Sequence, residues 1–125
     1  MSTYPDLHLY INGEWRKTAR DLPVINPATE EEIGRLPHAE KSDLDDALEA
    51  AEAGFRVWSQ TPPVERASVL VNAAALMRKR QEEIGTAITQ EHGKPITQAR
   101  LEVIRGCEFF EWDAGEATRT YGRVI

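Results

Sequence analysis

Along the first forty residues, apolar and polar positions alternate with a period of two, and beyond them the period changes to 3.6. In "LHLYINGEWRKT", Leu7, Leu9 and Ile11 alternate with His8 and Tyr10, and the Asn12-Gly13 pair that follows tolerates the positive φ of a two-residue hairpin turn. A second extended region runs over 22–26, turns through "NPATEE" and returns over 32–37, with Pro27 and Pro37 barring a central strand or a helix. Residues 1–40 therefore read as a β-hairpin region, a short antiparallel meander. From residue 42 the helical period takes over. Ser42 followed by Asp45 resembles a capping box, and Leu44, Leu48, Ala51, Phe55 and Trp58 share one face of a helix that ends before Pro62-Pro63. That face is expected to be core, with ligand stacking as the alternative for Trp58. Pro62-Pro63 suits the start of a second helix, which carries Leu70, Ala74, Met77, Ile84 and Ile88 in one stripe, broadened by Val69, Ala73 and Leu76, and runs to about His92. A third helix repeats Val103, Cys107, Phe110, Ala114 and Ala117. The pattern predicts an α+β chain of two hairpins followed by three amphipathic helices, with 41–125 as its helical part.

Composition narrows the class of protein. At 125 residues the chain is about one domain, and 41% hydrophobic with 29% charged residues is ordinary for a globular protein. A formal charge of −6 argues against nucleic acid or an anionic membrane as partner, since both call for a basic surface. The start, "MSTYPDLHLY", has no basic n-region and no long apolar stretch, and no run approaches the ~20 apolar residues of a membrane span, so a cytoplasmic protein is expected. One cysteine leaves neither an internal disulfide nor a multi-cysteine metal cage.

Candidate chemistry gathers in "QEHGKPITQARLEVIRGC", residues 90–107, which holds a carboxylate, an imidazole, a Gly-Lys pair and the thiol. Gly93 after the last periodic turn, with Pro95 two residues on, marks a helix C-terminus with glycine in the left-handed region. A phosphate loop needs a glycine-rich turn that follows a strand and feeds a helix N-terminus; here Gly-Lys follows a helix, which disfavours that reading. Cys107 lies within an apolar stripe near Glu108 and Glu111, whereas nucleophilic thiols need an accessible, electropositive setting, so it reads as a small buried hydrophobe. "MRKRQEE", 77–83, mixes charges at helical spacing and reads as a solvated face with weak ion pairs.

The segments "LYINGEW", "INPATEEEIGRLP", "DALEAAEAGFRVW", "ERASVL", "EHGKPITQA" and "FFEWDAGEATRTYG" occur in this order at the start of NAD(P)-dependent aldehyde dehydrogenases, which the chain resembles over essentially its whole length. The Phe-Phe-Glu-Trp and Tyr-Gly elements look most like the succinate-semialdehyde branch. The resemblance implies an α/β fold, of which this chain would be the amino-terminal portion, with residues 41–125 as the incomplete helical part of the nucleotide-binding domain. It also implies NAD or NADP bound by a downstream region, a small-molecule aldehyde as substrate, and a homo-oligomer when complete. In the family a thiolate attacks the aldehyde, hydride passes to the nicotinamide, and base-activated water releases the acid. Cys107 does not match the nucleophile motif and no glutamate matches the base. This segment alone is therefore expected to be inactive, and the apolar end "YGRVI" is expected to be a truncation. One site carries over by resemblance: a monovalent cation between the backbone carbonyls of Val24 and Ile25 and the side chain of Glu91. Many members have Asp at the last position, and the alternative is that Glu91 caps or pairs locally. A competing expectation from another functional class is a non-catalytic, truncated relative that acts as an interaction module.

Overall fold

The computed structural model describes residues 4–122. Four strands, β1 (Leu9–Ile11), β2 (Glu14–Arg16), β3 (Asp21–Ile25) and β4 (Glu32–Pro37), precede four helices, α1 (Lys41–Trp58), α2 (Pro63–Lys79), α3 (Gln81–His92) and α4 (Ile96–Ala117). The described residues fall into two compact units. One holds those up to Ser59 together with Gln90–Gly93, and the other holds Gln60–Thr89 and those from Lys94 onward. No helix among the described residues is long and apolar enough to cross a membrane.

In the first unit the two hairpins form separate two-stranded antiparallel sheets rather than one meander. Asn12 and Gly13 take φ of 53° and 83°, the left-handed pair that a tight hairpin turn requires. Across β1–β2, Tyr10 faces Trp15, with ring centroids 4.6 Å apart. In the second turn, the Ala28 amide donates to the Asn26 side chain at 2.9 Å, and the Glu30 amide to the Asn26 carbonyl at 2.8 Å. The β3–β4 register pairs Val24 with Gly34 but Ile25 with Glu32, so Ile33 is the extra residue of a bulge.

α1 differs from expectation at both its start and its buried face. Its N-cap is Glu40 rather than Ser42, and the Glu40 amide donates to the Asp43 carboxylate at 2.9 Å. The sequence offers this box two residues before the Ser42–Asp45 one, and Asp45 is engaged by the Lys41 ammonium at 2.5 Å. No residue of α1 is buried. Its half-buried positions are Asp43, Ala47 and Ala50, while the large stripe residues Leu44, Leu48, Phe55 and Trp58 remain exposed. Ala47 and Ala50 lie beside Ile11 of β1, so small residues make the contact that the large ones were expected to make.

The second unit is built on α4. Val103 and Cys107 of α4 meet Ala74 of α2, with Met77, Ile84 and Ile88 packed around them. The expected second helix is two helices, because Arg80 leaves helical geometry at φ −101° and ψ 17° and donates its amide to the Leu76 and Met77 carbonyls. Gln81, the first residue of α3, donates its side-chain amide to the Arg100 carbonyl of α4 at 3.3 Å. Two charges of 77–83, Arg78 and Glu82, reach across to α4 rather than along their own helix. Arg78 clamps Glu111 with contacts of 2.7 and 2.9 Å, and Glu82 accepts from Arg100 at 2.7 Å. The guanidinium of Arg78 is held further above its ordinary pKa, chiefly by the hydrogen bond to Glu111.

Candidate functional site

The thiol is the first candidate to settle. Cys107 is 0% exposed in the core of the second unit, where α4 meets α2. It behaves as the buried hydrophobe its stripe predicts. The imidazole of His92 sits in the last turn of α3. The Gly-Lys pair closes α3 and also precedes α4, which begins at Ile96, so the polarity argument does not exclude an anion site by itself. A single glycine is present, however, no strand leads into it, and the Lys94 ammonium is engaged by the Glu102 carboxylate. These described residues do not fit a dinucleotide phosphate, and no step through a nicotinamide is derived from them.

Glu91 is different. It lies in the last turn of α3, where the negative end of the helix dipole disfavours a carboxylate. Among the described residues it forms no ion pair with a lysine or arginine, since Lys94, the candidate cation closest in sequence, is taken by Glu102. Its Oε1 instead accepts a hydrogen bond from the hydroxyl of Tyr4. Burial, followed by the neighbouring Glu91 carboxylate, pushes the Tyr4 phenol up to about 12, so it stays a neutral donor at ordinary pH.

Two glycines allow these parts to meet. Gly34 lies under the Tyr4 ring so closely that a methyl group there would overlap the ring carbons. Gly93 has φ +74°, and a side chain on it would approach Pro27 at 3.1 Å. The end of α3 therefore stands against the turn that follows β3, and Tyr4 links Glu91 to the strand position paired with Val24. The register shift of the bulge falls between Val24 and Ile25, opposite the extra residue Ile33. Of the residues expected to share a cation, all three lie in the first unit, with β3 contributing Val24 and Ile25 and α3 contributing Glu91. The donors are hard oxygens, as a monovalent cation requires, and one accepted hydrogen bond leaves the carboxylate with further lone pairs. The set is compatible with such an ion. Sequence reasoning did not single out Tyr4, which precedes the first strand and belongs to no periodic pattern.

Comparison with known proteins identifies the scaffold around this site. The model of the aldehyde dehydrogenase family matches residues 15–125. The chain belongs to the aldehyde dehydrogenase family. It is 41% identical over 115 residues to malonate-semialdehyde dehydrogenase 1 of Shouchella clausii (strain KSM-K16), a match covering 90% of this chain and 23% of that protein. It is 40% identical over 119 residues to the 4-(hydroxymethyl)benzenesulfonate dehydrogenase TsaD1 of Comamonas testosteroni, covering 94% and 25% respectively. Among solved structures, the NADP-dependent glyceraldehyde-3-phosphate dehydrogenase from Bacillus halodurans C-125 complexed with NADP superposes with a TM-score of 0.92. The identity is 29%, over 96% of this chain and 26% of that one. The chain thus spans about a quarter of the length of the curated relatives it matches.

Proposed function

We propose that this chain is the amino-terminal segment of an NAD(P)-dependent enzyme that oxidises a carboxylate-bearing semialdehyde, malonate or succinate semialdehyde, to the corresponding acid. The observation that carries the reading is the family match over 15–125, and the relative from Shouchella clausii, a malonate-semialdehyde dehydrogenase, supports the substrate class. The succinate branch rests on the Phe-Phe-Glu-Trp and Tyr-Gly elements of α4 and the residues after it.

In this reading the segment supplies scaffold, while the nucleophile, the base and the dinucleotide site belong to other parts of the complete polypeptide. The buried position of Cys107 supports that division, because a thiol without solvent access cannot meet a substrate carbonyl. The cofactor's contribution is to accept hydride from the aldehyde-derived carbon. A monovalent cation held by the carbonyls of Val24 and Ile25 and the carboxylate of Glu91 belongs to the same reading, tying the β3–β4 hairpin to the end of α3.

The test is a substrate panel on the complete polypeptide: malonate semialdehyde, succinate semialdehyde and an uncharged aldehyde of similar length, each with NAD and with NADP. A kcat/KM for one semialdehyde at least tenfold above the uncharged aldehyde supports the proposal. Equal or reversed preference removes the carboxylate from the account. A second reading, a non-catalytic module that docks on a partner, draws on the exposed stripe of α1. Turnover of any aldehyde by the complete polypeptide excludes it.

A further inference from the structure

We propose that Tyr4 is the positioning residue of the cation site, orienting the Glu91 carboxylate toward the end of β3. The inference rests on the reading of Glu91 as a cation ligand and adds a residue that the ligand set does not contain.

Four observations lead to it. A carboxylate at a helix C-terminus meets an unfavourable dipole and tends to turn toward any available cation or solvent. At Glu91 no lysine or arginine among the described residues holds it, and the one side-chain group that does is the neutral Tyr4 hydroxyl. The tyrosine ring lies directly over Gly34, where any Cβ would displace it. Finally, Gly34 is the cross-strand partner of Val24, one of the two carbonyl donors, so the ring that orients the carboxylate rests on the hairpin that presents the carbonyls.

The chemistry of the donor matters. An ammonium or guanidinium on Glu91 would satisfy its charge and compete with a bound ion. A phenol hydrogen bond fixes one oxygen in place yet leaves the full negative charge for a cation. Because the phenol is neutral and its ring packs on backbone, it can restrict the rotamers of Glu91 without lowering the attraction of the site. Less rotameric freedom is then lost when the ion arrives, which is how preorganisation raises affinity.

Two variants separate the hydroxyl from the ring. Tyr4→Phe keeps the ring on Gly34 and removes only the hydrogen bond. Gly34→Ala keeps the hydroxyl but pushes the ring off the strand. The measurement is the thermal midpoint of the complete polypeptide as a function of sodium or potassium concentration. A bulky organic cation at matched ionic strength gives the ion-free baseline, and Glu91→Gln is the reference for a lost site. In the wild type an ion-specific rise above baseline is expected, and it should vanish in Glu91→Gln. In Tyr4→Phe the ion concentration giving half of that rise should increase by about three- to tenfold, the equivalent of one ordinary hydrogen bond. Gly34→Ala should move it in the same direction.

A purely structural Tyr4 would lower the baseline midpoint and leave the half-rise concentration unchanged, and that result would overturn the proposal while sparing the ligand role of Glu91. Absence of any ion-specific rise in the wild type would overturn both. If Tyr4→Phe did not fold, Gly34→Ala would carry the same comparison, with an unshifted half-rise again counting against the proposal.

Discussion

Cys107 is held at the interface of α4 with α2 by the apolar spacing of its own helix. A thiol at a stripe position between Val103 and Ala114 has no alternative to the helix interface, and it is fully buried there. Cys107→Ala in the complete polypeptide is expected to lower stability by about 1 kcal/mol through a small cavity while leaving turnover intact. Paired melts and rate assays decide the matter: loss of turnover in a protein that still folds would make the thiol functional. Tyr4 was not legible in this way, because its partner Glu91 lies 87 residues away and neither residue's neighbourhood signals the other. Its titration can be followed directly. The folded-state phenol sits near 12 against an ordinary value of 10.0, so the folded protein holds this proton more tightly than the unfolded chain. The resulting stability is complete below pH 10 and is lost as the pH rises toward 12. The difference in phenolate absorbance between wild type and Tyr4→Phe should have its midpoint near pH 12. A midpoint at the ordinary value would mean that Tyr4 is neither buried nor in contact with Glu91 in solution.

Among the elements, the hairpins and helix ends could be read from the sequence, but the break at Arg80 could not. Met77 and Ile84 are seven residues apart, two helical turns, so the apolar stripe keeps its phase across the interruption and periodicity registers one helix. No glycine or proline marks the break, and the Gln81 contact with α4 beside it is one that a single chain segment does not reveal. The N-cap of α1 falls two residues before Ser42, at Glu40, whose amide donates to Asp43, while Asp45 pairs with Lys41. α3 also permits a test of its packing. A methyl group on Gly85 would meet Arg100 at 3.5 Å and Ile96 at 3.7 Å, ordinary van der Waals contact. Gly85→Ala is therefore expected to stabilise the protein by about 0.5–1 kcal/mol through helix propensity. A destabilising effect measured in a denaturant titration would show that α3 sits closer to α4 than described.

For the molecule as a whole, the apolar stripe of α1 is the feature its own contacts leave unaccounted for. Leu48 and Phe55 are 70% and 68% exposed, far more than a helix stripe in a finished core. Periodicity correctly placed these residues on one face but could not say what covers it, since that depends on chain outside the segment in the proposed reading. Leu48→Ser with Phe55→Ser should change the stability of the 125-residue chain by no more than about 1 kcal/mol, as a pair of surface substitutions does, and should reduce its binding of an apolar dye. The same pair should destabilise the complete polypeptide by several kcal/mol if the stripe is buried there. Equal, small effects in both would place the stripe at the surface in both. If this segment is scaffold for aldehyde oxidation performed elsewhere in the polypeptide, one assay run on two samples separates scaffold from chemistry. Aldehyde-dependent formation of NADH or NADPH is measured for the 125-residue chain and for the complete polypeptide at equal molar concentration. Turnover is expected from the complete polypeptide and none above blank from the short chain. Turnover by the short chain, or none by the complete polypeptide with any semialdehyde, would contradict the scaffold role.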